Sequence, residues 1–339
     1  MHRRSLLLSL GLAPGGLPLA APPAQAQRPA FPDRPVSLVT GYAPGGSTDI
    51  AARLLAERLA WHLAPGARLQ VDNRPGAAGA VASEWLRRQP ADGHTVMIAE
   101  TGSHAIAPNA MAGWNRYDPV ADFTHLGIIG APPLVLVVNN GFQRVFGART
   151  ATEVVARLRE SAPDSIAYAT SGVGGVLHLA SEVLALDLGT RFVHVPYRSG
   201  AQMLQSIHNG EVQFGIAALA SATAMLRQGL VQGVAVTGRE RFAAFPELPT
   251  MAEVGVPGFE FEAWYILIGP PNLPPPVAEA LNAALVLTLA EAPVRDRLRQ
   301  AGHDTWRGPN RLADALSFIE REVERYRLVV ARTGIRLDP

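Results

Sequence analysis

Residues 36–60 read VSLVTGYAPGGSTDIAARLLAERLA. An apolar, β-branched run from Val36 to Tyr42 ends in a glycine turn, Ala43 to Gly46, and a helical pattern starts near Ser47 or Thr48. Leu54, Leu55 and Leu59 recur at helical spacing, with Arg53, Glu57 and Arg58 between them. The stretch reads as strand, glycine loop, helix. Glycine lets backbone N–H groups turn toward a ligand because no Cβ stands in the way. The first N–H groups of the helix have no internal acceptor and the helix dipole is positive there, so the corner suits an anion. The unit recurs: Ile166–Thr170 is a short strand, Ser171–Gly175 (SGVGG) the loop and Val176–Leu186 the next helix. One reading is a single small anion gripped from two sides. The other is a pair of ordinary βα turns, and spacing alone leaves both open.

At 339 residues the chain is long for one typical domain and comfortable for two. With 48% hydrophobic and 17% charged residues it buries a core and is not of disordered composition. The formal net charge is +1, and without residues 1–26, which carry Arg3 and Arg4 and no acid, it is −1. That balance argues against nucleic-acid binding, which rests on phosphate neutralisation. All 30 basic residues are arginine. The absence of lysine excludes lysine Schiff-base chemistry and a P-loop. The absence of cysteine excludes thiol nucleophiles, thiolate metal sites and disulfides. Nothing in the sequence asks for a cofactor or a metal.

The N-terminus has an export pattern. Arg3 and Arg4 precede an apolar run from Leu6 to Ala20, and Ala24-Gln25-Ala26 fits a small-x-small cleavage site, so residues 1–26 read as a cleaved signal peptide. The run is broken by Pro14, Gly15, Gly16 and Pro18 and falls short of the ~20 residues that span a bilayer. The expected location is periplasmic, reached by the general secretory route or, given Arg3-Arg4, the twin-arginine route.

Strand and helix alternate along the rest. Arg68–Asn73, Thr95–Ala99, Phe123–Ile129, Pro133–Asn140, Arg191–Tyr197, Val212–Ala218, Leu230–Thr237 and Phe261–Gly269 read as strands. Val81–Arg88, Thr152–Glu160 (opened by a threonine cap), Ala201–His208, Ser221–Gln228, Val277–Leu289 and the amphipathic Leu312–Ala331 read as helices, and Glu100–His104 as a polar loop. The alternation predicts an α/β protein with parallel sheets. The apolar strands near residues 136 and 266 are candidate crossings between two lobes. Lobe 1 is then discontinuous, residues 27–132 plus 265–339, and lobe 2 spans residues 133–264. Ligands of open α/β sheets sit at the carboxyl ends of strands. The loops at 43–49, 101–104, 171–175 and 196–200 all follow strands and line one cleft in this reading.

YAPGGSTDIAARLLAERL resembles the FxPGGxxDxxAR signature of the Bug or TctC-type extracytoplasmic solute receptors, the receptors of tripartite tricarboxylate transporters. DNRPGAAG, YATSGVGGVLHLA, HVPYRSG and LPTMAEVGVPGFE resemble further segments of that family in the same order, so the resemblance covers essentially the whole mature chain. It implies a two-lobed Venus-flytrap fold of the type II periplasmic-binding class, joined by two crossing strands. It also implies capture of a small carboxylate between the lobes by a monomer, and delivery to membrane transporter subunits. The alternative is a co-receptor read by a membrane sensor kinase. Carried over, the first wall of the pocket is Tyr42, Gly45, Gly46, Ser47, Thr48 and Asp49 with Thr101, Ser103 and His104. The second is Thr170, Ser171, Gly174 and His178, with Tyr197 and Arg198 nearby.

Several of these residues carry a plainer reading. Asp49 reads as a capping carboxylate at the helix start; facing the cleft, it would favour a ligand amine. His178 caps or packs at the start of its helix or touches ligand. Arg198 pairs with a distal carboxylate or lies on the surface. Trp264 and Tyr265 read as core. The chain also departs from the family: Ala217 and Ala218 stand where an Asp-Asn pair is frequent, and Gly175 where a hydroxyl is. Both changes make the second wall less polar and hint at a ligand with an apolar or aromatic part. A secreted hydrolase is the remote alternative. Gly45-Gly46-Ser47-Thr48-Asp49 lacks the closing glycine of a nucleophile elbow, and there is no H-E-x-x-H.

Overall fold

The apolar β-branched run around Leu38 forms β1 (Val36–Thr40), and the helical pattern after the glycine turn forms α1 (Ser47–Leu63). In order follow β2 (Leu69–Asn73), α2 (Ala80–Leu86), β3 (Thr95–Glu100), α3 (Ala107–Ala110), β4 (Thr124–Gly130), β5 (Leu134–Asn139), α4 (Phe142–Phe146), α5 (Ala151–Glu160), β6 (Ala167–Thr170), α6 (Val176–Leu188), β7 (Val193–Pro196), α7 (Gly200–Asn209), β8 (Phe214–Ala218), α8 (Leu219–Arg227), β9 (Val231–Val236), β10 (Tyr265–Gly269), α9 (Pro275–Ala290), α10 (Ala292–Gln300) and α11 (Leu312–Thr333). This computed structural model describes residues 31–336 apart from 112 and 115, so the expected signal segment, residues 1–26, lies outside the described residues.

The strands form two five-stranded sheets of the same plan. The first has the order β2-β1-β3-β10-β4 and the second β7-β6-β8-β5-β9. In each, three strands run parallel at one side and one antiparallel strand enters from the other half of the chain: β10 between β3 and β4, β5 between β8 and β9. The entering strands lie mid-sheet, which explains their unbroken apolar sequence: Leu134–Val138 and Tyr265–Ile268 are buried throughout. The fold is thus α/β in two halves, as expected, but each sheet is mixed rather than parallel, because the strand that enters from the other half runs antiparallel.

The chain does not cross between halves within β5 and β10 themselves. It crosses just before each, where Pro133 pairs with Glu262 in an antiparallel bridge and Ala263 N–H donates to Pro132 C=O (3.0 Å). Thr237, fully buried at the end of β9, ties the two crossings together. Its hydroxyl accepts Leu134 N–H (2.9 Å) and donates to Phe261 C=O.

Side-chain caps open two of the helices, α5 at Thr150 and α7 at Ser199. The cap of α5 is Thr150, whose hydroxyl accepts Glu153 N–H while the Glu153 side chain returns to the Thr150 N–H; Thr152 lies inside the first turn. The expected polar loop at Glu100–His104 is instead a buried π-helical turn, Gly102–Ile106, that runs into α3. Helix α10 was not expected from the sequence, because only Val294 and Leu298 of its nine side chains are buried and no apolar stripe marks it.

Thr237→Val keeps the shape and removes the acceptor that the buried Leu134 N–H uses. The expected cost is about 1–3 kcal/mol, read from urea denaturation. A variant as stable as the parent would show that the hydroxyl does not tie the crossings.

Candidate functional site

The PGG loop is held by a polar knot. Asp49, in the first turn of α1, turns back on its own loop and accepts Gly45 N–H (3.0 Å), Arg53 Nε (3.0 Å) and Asn73 Nδ2 (3.0 Å). Asn73 Nδ2 also reaches Thr40 Oγ1 (2.8 Å) and Tyr42 C=O (2.9 Å), which joins the ends of β1 and β2 to the loop. Burial alone would raise the Asp49 pKa, but the bonds from Arg53, Gly45 and Asn73 outweigh it and hold the carboxyl below the ordinary aspartate value. Gly45 takes a positive φ of 81°, a conformation that favours glycine. No side chain caps α1 at Gly46 or α6 at Gly175, and their first intrahelical bonds are Ile50 N–H to Gly46 and Leu179 N–H to Gly175. The N–H groups of residues 47–49 and 176–178 have no acceptor within their helices.

These two helix starts face each other across an inner crevice. Tyr42, Gly46, Ser47, Thr48, Glu100, Ala263 and Tyr265 line one side, and Ser171, Gly172, Gly175, Val176, Leu177, Gly200, Ala218 and Ser221 the other. Its free volume is about 30 Å³, room for a water molecule or two. Tyr42, Ser171 and Gly172 also line an outer vestibule of about 600 Å³, together with Pro75, Ala77, Ala78, Met111, Tyr197, Arg198 and Gln202. The N-termini of α1, α6 and α7 therefore converge on one cleft, and the hydroxyls of Ser47, Thr48, Ser171 and Ser221 stand beside them. Helix starts arranged in this way suit a small anion.

Of the fifteen residues singled out from the sequence, Tyr42, Gly46, Ser47, Thr48 and Ser171 line the crevice, and Tyr197 and Arg198 the vestibule. The others do not line either cavity. Gly45 and Asp49 belong to the knot that shapes the loop. Thr101 Oγ1 accepts Trp264 N–H (3.0 Å) and donates to Glu262 C=O (3.4 Å) beside the crossing. Ser103 and His104 are buried and bonded to each other (2.9 Å), with the His104 ring against Phe123 and Tyr117; burial lowers the imidazole pKa to about 3. Thr170 Oγ1 bonds His194 Nε2 (2.7 Å). Gly174 N–H donates to His178 Nδ1 (3.4 Å), and the His178 ring stacks on His194 at 3.9 Å. Burial, then the nearby His194, lower the His178 pKa to about 3, so the ring is neutral.

Ten of the fifteen residues lining the crevice were not among the sequence candidates, and two of them, Tyr265 and Glu100, bring polar chemistry from the first half. Tyr265 was read as core; it is buried, yet it lines the crevice and donates from its hydroxyl to Ser47 Oγ (2.6 Å). Glu100 was read as the start of a polar loop. It ends β3, is 7% exposed, and is the one carboxylate among the residues lining the crevice. The Tyr42 hydroxyl donates to it. Burial raises its pKa to about 7, against the lowering effect of the Tyr42 and Thr48 hydroxyls. The available signal was a carboxylate following a buried apolar strand at its cleft end. Among the described residues, no group of three His, Asp or Glu is placed to hold a metal ion.

The raised Glu100 pKa has a stability consequence. Between about pH 4.5 and 7 the unfolded chain has lost this proton while the folded chain keeps it, so stability falls as pH rises through that window and levels off above it. Glu100→Gln removes this dependence. The stability advantage of the variant is expected to grow between pH 5 and 7.5, by a few kcal/mol at most, in paired urea titrations. A gap that stays constant with pH would contradict the buried, proton-holding carboxyl.

Solved structures of similar shape and sequence support the same architecture. The periplasmic binding protein BugD is 26% identical, with a TM-score of 0.83 over 91% of this chain and 100% of that one. A Rhodopseudomonas palustris protein solved with adipate is 30% identical, TM-score 0.84, over 91% and 100% of the two chains. MatC of the same organism, solved with malate, is 29% identical, TM-score 0.81, over 88% and 100%. The family model described as the tripartite tricarboxylate transporter family receptor matches residues 51–335. With its paired sheets, its facing helix starts and this match over most of its length, the chain belongs to the TctC family of tripartite tricarboxylate transporter receptors.

Proposed function

We propose that this protein is a periplasmic solute receptor that captures a small carboxylate between two lobes and hands it to a membrane transporter. The observation that carries the reading is the convergence of uncapped helix starts, α1 from the first half and α6 from the second, on one cleft flanked by serine and threonine hydroxyls. Adipate and malate, bound by the two R. palustris proteins, are carboxylates of the size such a cleft would take when open. Each helix end contributes ~0.3–1 kcal/mol to an exposed anion and up to ~2 when partly buried, so several must act together for useful affinity. Val176, Leu177 and Ala218 offer an apolar surface to the part of the ligand beyond its carboxylate.

In this reading the lobes are residues 31–132 plus 265–336 and residues 133–264. They close about the crossings at Pro133 and Glu262, with bound ligand favouring the closed state. The receptor is exported with a cleaved signal at residues 1–26 and works as a monomer. It turns over no substrate; the serine hydroxyls of the crevice serve as donors to the ligand.

Thermal unfolding of the mature protein against a panel of mono- and dicarboxylates tests this. A ligand present at 100 times its Kd adds about 2.7 kcal/mol, a readable rise in Tm. Stabilisation by one carboxylate class is expected. Stabilisation by neutral or purely cationic solutes alone would sink the anion argument.

A further inference from the structure

Glu100 and Ala218 hold equivalent places in the two halves. Each ends the third parallel strand of its sheet, and each pairs with the first residue of the antiparallel strand that enters from the other half: Glu100 with Tyr265, Ala218 with Leu134. Both line the inner crevice. One presents a methyl group and the other a carboxylate that meets the hydroxyls of Tyr42 and Thr48 but no cation. A carboxylate has about four acceptor positions, and a buried charge without a counter-charge is costly. No arginine or histidine is among the residues lining the crevice, so Glu100 either keeps its proton or, when ionised, takes its counter-charge from the ligand.

The position of Glu100 limits what that ligand is. A Cβ built on Gly102 would stand 2.9 Å from Glu100 Oε1 and 3.1 Å from Gly175 Cα. A Cβ on Gly175 would stand 3.7 Å from the Tyr42 hydroxyl. The carboxylate therefore sits directly across from the start of α6, the place that would take the ligand's anionic group. Cation and anion must be close neighbours in one small molecule. Building on the carboxylate-receptor reading, we propose that Glu100 is the specificity-determining residue of the cleft. It selects a short amino carboxylate, ammonium on Glu100 and carboxylate at the starts of α1 and α6, over the amino-free acid of the same shape.

The pH dependence has a definite sign. The titratable groups facing Glu100 are Tyr42, from the β1–α1 loop, and Tyr265, from β10. Burial raises both phenols, and α1 contributes only the Thr48 and Ser47 hydroxyls. Glu100, at about 7, is half protonated near neutrality in the free receptor. An ammonium favours the ionised form, so binding expels a proton below pH 7 and weakens as pH falls, by up to about tenfold per unit. A ligand carboxylate placed on Glu100 would do the reverse: it would take up a proton and bind tighter in acid.

Isothermal titration calorimetry between pH 5.5 and 8.5 separates the cases, with three matched pairs as probes: malate and aspartate, adipate and 2-aminoadipate, 3-phenylpropionate and phenylalanine. The expected result is one amino member binding about tenfold or more tighter than its amino-free partner at pH 8, and weakening as pH falls. Glu100→Gln should abolish both the preference and the pH slope while its circular dichroism stays that of the parent. If that variant does not fold, the pH slope and the matched-pair preference of the wild-type receptor decide the matter. Binding of amino-free acids at equal or greater strength, or tighter binding at low pH, would overturn the role of Glu100 and leave the carboxylate reading standing. Binding of none of the six would overturn both.

Discussion

The cleft depends on one carboxylate that does not face it. Asp49 is bonded to its own loop at Gly45, to its own helix at Arg53 and to the neighbouring strand at Asn73. Those bonds hold the loop in a conformation that leaves the first N–H groups of α1 pointing out of the helix and uncapped. A serine or aspartate cap at Gly46 would satisfy those groups and close the anion site. The local stability that a cap would give is recovered one turn further on, by a carboxylate whose charge is already matched by Arg53. A negative residue can therefore stand in the first turn of a helix whose start suits an anion, with its own charge already matched.

The second half solves the same problem with different chemistry. Gly174-Gly175-Val176-Leu177-His178 aligns with Gly45-Gly46-Ser47-Thr48-Asp49, and in both segments the first glycine N–H bonds to the side chain four residues on. In the second half that side chain is a neutral imidazole, stacked on His194, which in turn holds Thr170. The sheets share a strand order as well. The two walls of the cleft are thus variations on one unit, and the functional differences lie where the units differ: hydroxyls at Ser47 and Thr48 against apolar Val176 and Leu177, and Glu100 against Ala218.

The strand–loop–helix units around Gly45 and Gly174 were legible in the sequence because their boundaries are local: a β-branched run, glycines where the backbone turns, then helical periodicity. The entering strands were legible as buried but not as to where the chain crosses, since burial on both faces leaves an apolar run and no mark of the crossing point. The polar residues after β3 misled for a physical reason. Thr101, Ser103 and His104 look like a solvated loop, yet they lie buried at and within a π-helical turn, where the two hydroxyls find backbone carbonyls and His104 bonds Ser103 through Nδ1 while its Nε2 is buried without a partner among the described residues; a sequence does not show which hydroxyl will meet which carbonyl. The burial of Glu100 is hidden in the sequence on the same ground. A charged residue at a strand end is normally in water, and only the packing of Tyr42, Tyr265 and Gly102 around it takes it out.

Glycine also sets how closely the halves approach. Gly102 packs against Gly175, where a Cβ would stand 3.1 Å from the Gly175 Cα, and Gly302, beyond α10, packs where a Cβ would stand 2.8 Å from Ala220 Cα and 2.6 Å from Thr223 Oγ1 at the start of α8. Side chains at these points would prop the halves apart. Without them, the walls meet until the inner crevice holds only about 30 Å³. A ligand of several heavy atoms has to enter with the halves further apart and then be enclosed by them. Enclosure removes water from the helix starts and from Glu100, and electrostatic interactions strengthen as the surroundings lose polarity. The cost of burying Glu100 without a counter-charge is then largest in the empty closed state, and a ligand that brings the counter-charge relieves it there. The same side chain that chooses the ligand would thereby help make closure depend on having it.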